Sequence, residues 1–111
     1  MRVLLIQPAS CDPLMDQVYL FEPLALEYLG SGLKLDNHTV LLHDARIEPD
    51  WETTFTKFQP DLVGLTGFTS QLNIITAMAT QIKALVPDTW VVVGGHHATV
   101  APHDFNLPAI D

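Results

Sequence analysis

Residues 61 to 70 read DLVGLTGFTS. The stretch is entered through the breaker Gln59-Pro60-Asp61, and Leu62 to Thr66 is a short apolar run. A run of that length between turn residues reads as a buried strand. Gly67 to Ser70 then form a small-residue turn in which Ser70 can cap the helix that follows. That helix places Ile75, Met78, Ala79, Ile82 and Val86 on one face, the i, i+3, i+4, i+7 spacing of an amphipathic helix. Pro87-Asp88 ends it, and Trp90 to Val93 is a further apolar strand. Strand, glycine-bearing turn, helix and strand is the repeating unit of a parallel α/β sheet.

Outward from there the pattern continues. Arg2 to Gln7 is a continuous apolar run, as expected of a parallel strand buried on both faces. It is too short for the core of a signal peptide, and Gln7-Pro8 ends it. Pro8 to Phe21 reads as a long loop. A helix starts near Pro23, with Leu26, Leu29 and Leu33 inward and Gly30 and Gly32 lowering its intrinsic stability. Asn37 is expected to close it in a left-handed conformation. Thr39 to Leu42 is a second strand, His43 to Pro49 a loop, and Asp50 caps a short helix running to about Phe58. Nothing after Gly95 is strongly periodic, and Pro102 and Pro108 indicate loop or at most one helical turn. Right-handed crossovers then give a doubly wound, flavodoxin-like (Rossmann-like) α/β sheet of strand order 2-1-3-4. Residues 1–111 are expected to form one domain. The chain ends at Ile110-Asp111, where a fifth strand is expected to begin, so a C-terminally truncated fragment is expected, with the outer edge of the fourth strand open to self-association.

Composition narrows the partners. Of 111 residues, 48% are hydrophobic and 16% charged, which fits one folded domain and excludes disorder. Thirteen acids against five bases leave a net charge of −8, which repels nucleic acid and an acidic membrane surface alike. No apolar stretch approaches the roughly 20 residues of a membrane span. The single cysteine, Cys11, rules out an internal disulfide and fits a reducing, cytoplasmic setting.

In this architecture ligands bind beyond the carboxyl ends of the strands, at the switch point between the first and third. Three loops should converge there: Pro8 to Phe21, Gly67 to Ser70, and Gly94 to Ala101. The first lacks the glycine-rich G-x-G-x-x-G of a dinucleotide site. It also lacks the glycine- and hydroxyl-rich run of a flavin phosphate cradle. The third strand ends in Thr66-Gly67 rather than the aspartate of a phosphoacceptor. Gly64, Thr66, Gly67, Thr69 and Ser70 on one strand end, and Gly94 and Gly95 on the next, suit a flat aromatic group sliding edge-on between them. A hydroxyl there can bond a ring nitrogen.

Taken together, MRVLLIQP, EPLALEYLGSGLK, DLVGLTGFTS and VVVGGHHATVAP resemble, in order, the N-terminal cobalamin-binding domain of cobalamin-dependent radical SAM enzymes. That family includes methyltransferases and the anaerobic magnesium-protoporphyrin monomethyl ester cyclases. The resemblance covers essentially the whole chain. It implies that cobalamin is bound, its nucleotide tail contacted by Thr66, Gly67, Phe68, Thr69, Ser70, Gly94, Gly95, His97 and Ala98. Cobalamin domains that ligate cobalt through histidine carry Asp-x-His-x-x-Gly after the first strand. Here that loop has no histidine, as in the radical SAM branch, which implies a base-off cofactor without a histidine ligand. In the parent chain the resemblance implies a C-terminal catalytic domain holding a four-iron cluster and S-adenosylmethionine. One cysteine cannot hold that cluster, so this stretch alone is expected to have no catalytic residues. The other reading of the same residues is a non-catalytic binding or interaction module for another nucleotide-like ligand.

Three further candidates carry two readings each. His96, His97, His103 and Asp104 are metal-ligating types, but adjacent histidines in a turn diverge, and the predicted site contains no metal ligand. Cys11 has no evident base to activate it. Asp44 and Arg46 form either a polar rim contact to corrin amides or a loop salt bridge.

Overall fold

The computed structural model describes residues 1–111. Its elements in chain order are β1 (Arg2–Gln7), α1 (Pro13–Val18), α2 (Leu24–Leu35), β2 (Thr39–Asp44), α3 (Trp51–Phe58), β3 (Leu62–Thr66), α4 (Leu72–Leu85), β4 (Trp90–Gly94) and α5 (His96–Val100). Single 3-10 turns cover Thr69–Gln71 and Pro102–Phe105. All strand pairs are parallel and the sheet order is β2-β1-β3-β4, as the sequence predicts.

Side chains alternate across a strand, and the two faces of this sheet are filled unequally. Leu4, Ile6, Val63, Leu65 and Val91 meet Trp51 and Phe55 of α3 and Ile75, Met78, Ala79 and Ile82 of α4 in the main core. On the other face Val3 and Leu5 meet Leu26 of α2. Helix α2 lies over β1 and β2. Val92 of β4 stays 43% exposed, so the sheet surface at β3 and β4 has no comparable cover on that side.

Several boundaries differ from expectation for identifiable reasons. The first loop contains α1, because Asp12 accepts a hydrogen bond from the Leu14 amide at 2.9 Å and Pro13 occupies the first turn. None of its residues is buried. Strand β2 runs on to Asp44, which pairs in register with Gln7. Ser70 is not the cap of α4. Residues Thr69–Gln71 form a 3-10 turn instead, and the Gln71 side chain accepts from the Phe68 amide at 3.0 Å. Residues 96–100, read as loop, form a helical turn and a half that starts directly after Gly95. Asn37 and Gln59 both take left-handed conformations at helix ends, with φ of 64° and 51°.

At the C-terminus, Asp111 lies along the outer edge of β4. Its amide donates to the Val91 carbonyl at 2.9 Å, and its carboxylate accepts from the Val91 amide at 2.8 Å. Lys83 pairs with the same carboxylate at 2.7 Å. No helix is long and apolar enough to cross a membrane.

Candidate functional site

The carboxyl ends of all four strands open into one cavity of about 580 Å³. That is within the range of about 300–1,000 Å³ common to ligand pockets. Gln7 of β1, Arg46 after β2, Thr66, Gly67 and Phe68 after β3, and Gly95 and His96 after β4 form its wall. Tyr19, Phe21 and the segment Glu22–Leu26 close the remaining side. A second, narrower trough of about 190 Å³ shares Ala25, Leu26, Thr66 and Gly95 with the first. It runs between α2 and the uncovered β3–β4 surface, past Leu5, Leu29, Gly64, Val92 and Gly94.

The glycines shape this space in different ways. Gly95 has φ of +94°, a conformation that strains residues with a Cβ. A Cβ there would stand 2.5 Å from Thr66 Oγ1 and 3.0 Å from the Gly67 amide nitrogen. Gly95 therefore serves the turn and the close approach of two loops. Gly67 is also packed within the protein, since a Cβ would meet Ile75 Cδ1 at 2.6 Å. Gly94 differs: a Cβ would meet nothing within 4 Å, and the residue lines the trough. Of the paired glycines, only Gly94 leaves space that the protein does not itself use.

Polar side chains tie the loops together. Gln71 is buried. Its amide nitrogen donates to the Pro8 and Ala9 carbonyls at 3.1 Å each while its oxygen takes the Phe68 amide. It thereby joins the exit of β1 to the exit of β3. His97 is buried in a T-shaped contact with the Phe105 ring, with Nδ1 2.9 Å from Thr69 Oγ1 and Nε2 2.9 Å from Asp104 Oδ2. In the neutral tautomer that carries its proton on Nε2, the ring donates to the Asp104 carboxylate and Nδ1 accepts from the Thr69 hydroxyl. This chain joins the exit of β3 to the segment after β4.

Arg46 makes the third tie. Its Nε and Nη2 donate to the two Asp44 carboxylate oxygens at 2.9 and 2.7 Å, and Nη2 also donates to the Phe21 carbonyl at 2.6 Å. Burial works against ionisation of Asp44. The hydrogen bonds and charge of Arg46 outweigh it and hold the carboxyl below its ordinary range. Asp44, chiefly by hydrogen bonding, raises Arg46 in turn.

Thr66, Gly67, Phe68, Gly94 and Gly95, predicted from the sequence, thus border the cavity or the trough. Thr69 and Ser70 sit on the exposed 3-10 turn, and His97 and Ala98 face inward, Ala98 against the main core. No three His, Cys, Asp or Glu side chains stand close enough to share a metal ion. Gln7, Tyr19, Phe21 and Gln71 carry no sequence signal of their own, and the sequence marks His96 only as a metal-ligating type. Asp44-x-Arg46 does carry one, as either a salt bridge or a rim contact: the salt bridge forms, and Arg46 also borders the cavity.

Comparison with known proteins places these features in context. The family model of the B12 binding domain matches residues 17–111. An uncharacterized methyltransferase of Pyrococcus horikoshii, PH0819, is 32% identical over 107 residues, which cover 92% of this chain and 23% of that protein. The hopanoid C-3 methylase of Methylococcus capsulatus is 28% identical over 109 residues, 94% of this chain and 21% of its own length. The chain therefore spans less than a quarter of either relative. No solved structure matches it significantly.

Proposed function

The chain belongs to the B12-binding domain family, and from that premise we propose that it is the cofactor module of a larger cobalamin-dependent radical SAM methyltransferase. The observation that carries the binding mode is the trough beside Gly64 and Gly94. It is mostly apolar, lies along the β3–β4 surface, and shares Ala25, Leu26, Thr66 and Gly95 with the cavity at the strand ends. A benzimidazole-type ring fits that chemistry, and the corrin would then rest across the strand ends against Phe68, Tyr19 and Phe21. The Thr66 side chain stands where the two spaces join and supplies a hydroxyl at the entrance. Bound there, cobalamin supplies a cobalt centre able to carry a methyl group. The protein's own part is to hold the tail, orient the corrin and keep water from its buried side.

We assign the bound form as base-off without a histidine ligand. Residues 8–21 contain no histidine. His43 is buried and bonded to the Glu48 carbonyl, and both ring nitrogens of His97 are engaged. His96 is the histidine that borders the cavity. Electron paramagnetic resonance of the reduced Co(II) complex tests the assignment: no nitrogen superhyperfine splitting is expected. Clear splitting that disappears in His96→Ala would replace it with histidine ligation. The catalytic half is tested by the coding sequence beyond residue 111, where Cys-x-x-x-Cys-x-x-Cys is expected. Whether that half transfers methyl groups or closes rings is read from product analysis of the full enzyme, with methyl transfer expected.

A further inference from the structure

We propose that Arg46 is a cofactor-binding residue, donating a hydrogen bond to the oxygen of a peripheral propionamide, one of the set on the corrin face that carries the nucleotide tail. The proposal rests on cobalamin as the ligand of this cavity. Lysines and arginines are few here, five in all. Arg2 donates to the Phe58 and Gln59 carbonyls, and Lys83 bonds Asp111 and the Thr89 carbonyl. Lys34 and Lys57 stand in the last turns of α2 and α3. In a parallel α/β sheet those helix ends lie at the amino ends of the strands. Arg46 alone borders the cavity at their carboxyl ends.

Its guanidinium is held as a fixed instrument. Asp44 takes the Nε–Nη2 side and the Phe21 carbonyl takes the second Nη2 proton, which leaves Nη1 with no partner in the chain. No buried side-chain nitrogen or oxygen lacks a partner, so Nη1 is reachable from outside. A purely structural ion pair would be complete with Asp44. Here a planar donor with two spare protons is clamped at a cavity wall, the geometry that recognises an oxygen acceptor. Strands lie about 4.8 Å apart, so the exit of β2 is roughly 12 Å from the gap between β3 and β4. With the nucleotide tail in that gap, a corrin spread over the strand ends brings its peripheral amides, rather than its phosphate, to Arg46.

The test compares binding of cyanocobalamin with that of its b, d and e monocarboxylic acids, each of which replaces one peripheral carboxamide by a carboxylate. The net charge of −8 disfavours all three acids alike. The acid whose carboxylate meets Nη1 is expected to bind about tenfold tighter than the other two. Arg46→Gln should weaken cyanocobalamin about tenfold and abolish the preference among the acids. Because the comparison is made first on the wild-type chain, it does not depend on the variant folding. Wild-type binding of cyanocobalamin with no preference among the acids overturns the role of Arg46 and leaves the cofactor reading intact. A preference that persists in Arg46→Gln overturns it equally. No binding of cyanocobalamin by the wild-type chain overturns both.

Discussion

Gly94 and Gly95 are neighbours with different duties. The sequence shows two glycines at a strand end and offers two explanations, a turn and a close approach by a ligand. Backbone geometry divides them: Gly95 takes the positive φ, and Gly94 faces open space. Gly95→Val is therefore a folding variant. It should lower the stability of the ligand-free chain by about 1–3 kcal/mol, seen in urea unfolding. Gly94→Val should leave unfolding of the free chain nearly unchanged and reduce cobalamin affinity about tenfold to a hundredfold, by filling the trough. Equal cobalamin affinity in Gly94→Val and wild type would remove the trough from the binding site. A single sequence does not distinguish two adjacent glycines, because φ depends on where the following helix must start.

At the scale of elements, the strands and the longer helices were legible because their patterns report burial directly. Helices α1 and α5 were not. Helix α1 buries no residue, so it leaves no hydrophobic period, and α5 is only five residues long. The ties between loops were equally silent. Nothing in the sequence marks Gln71 as the residue that joins β1 to β3, since its partners are backbone atoms. The Asp44–Arg46 pair does yield a pH prediction. Because the folded carboxyl of Asp44 is lowered from 3.8, its contribution to stability is fully present above that value and lost as pH falls through the folded one. Asp44→Asn should therefore destabilise the chain by about 1–3 kcal/mol near neutrality, where a partly buried Arg46 loses its ion pair. The gap between variant and wild type should narrow below about pH 4. A gap that is constant from pH 3 to 7 in denaturant titrations would assign the effect to packing.

For the whole molecule, the fold class and strand order follow from alternation of strand and helix, and with them the end of the sheet where the site must lie. The unequal covering of the two faces does not, because it depends on which helix crosses which strand. At the outer edge of β4, Asp111 occupies both backbone groups of Val91. By the alternation of a parallel ladder, Val93 presents its amide and carbonyl to the same side. Such an edge pairs with another chain, and the net charge of −8 opposes the approach. Sedimentation should show concentration-dependent self-association of the 1–111 chain that strengthens as salt is raised. A monomer unchanged in high salt at high concentration would show the edge to be adequately blunted by Asp111.

The central claim is that the space at the strand ends and the trough behind it together hold cobalamin. The most direct measurement is to mix the chain with a small excess of hydroxocobalamin, separate free cofactor by gel filtration, and record the visible spectrum of the protein fraction. One equivalent should remain with the protein and show the base-off spectrum, with the tail withdrawn from cobalt. A colourless protein fraction from chain that is folded by circular dichroism would contradict the account.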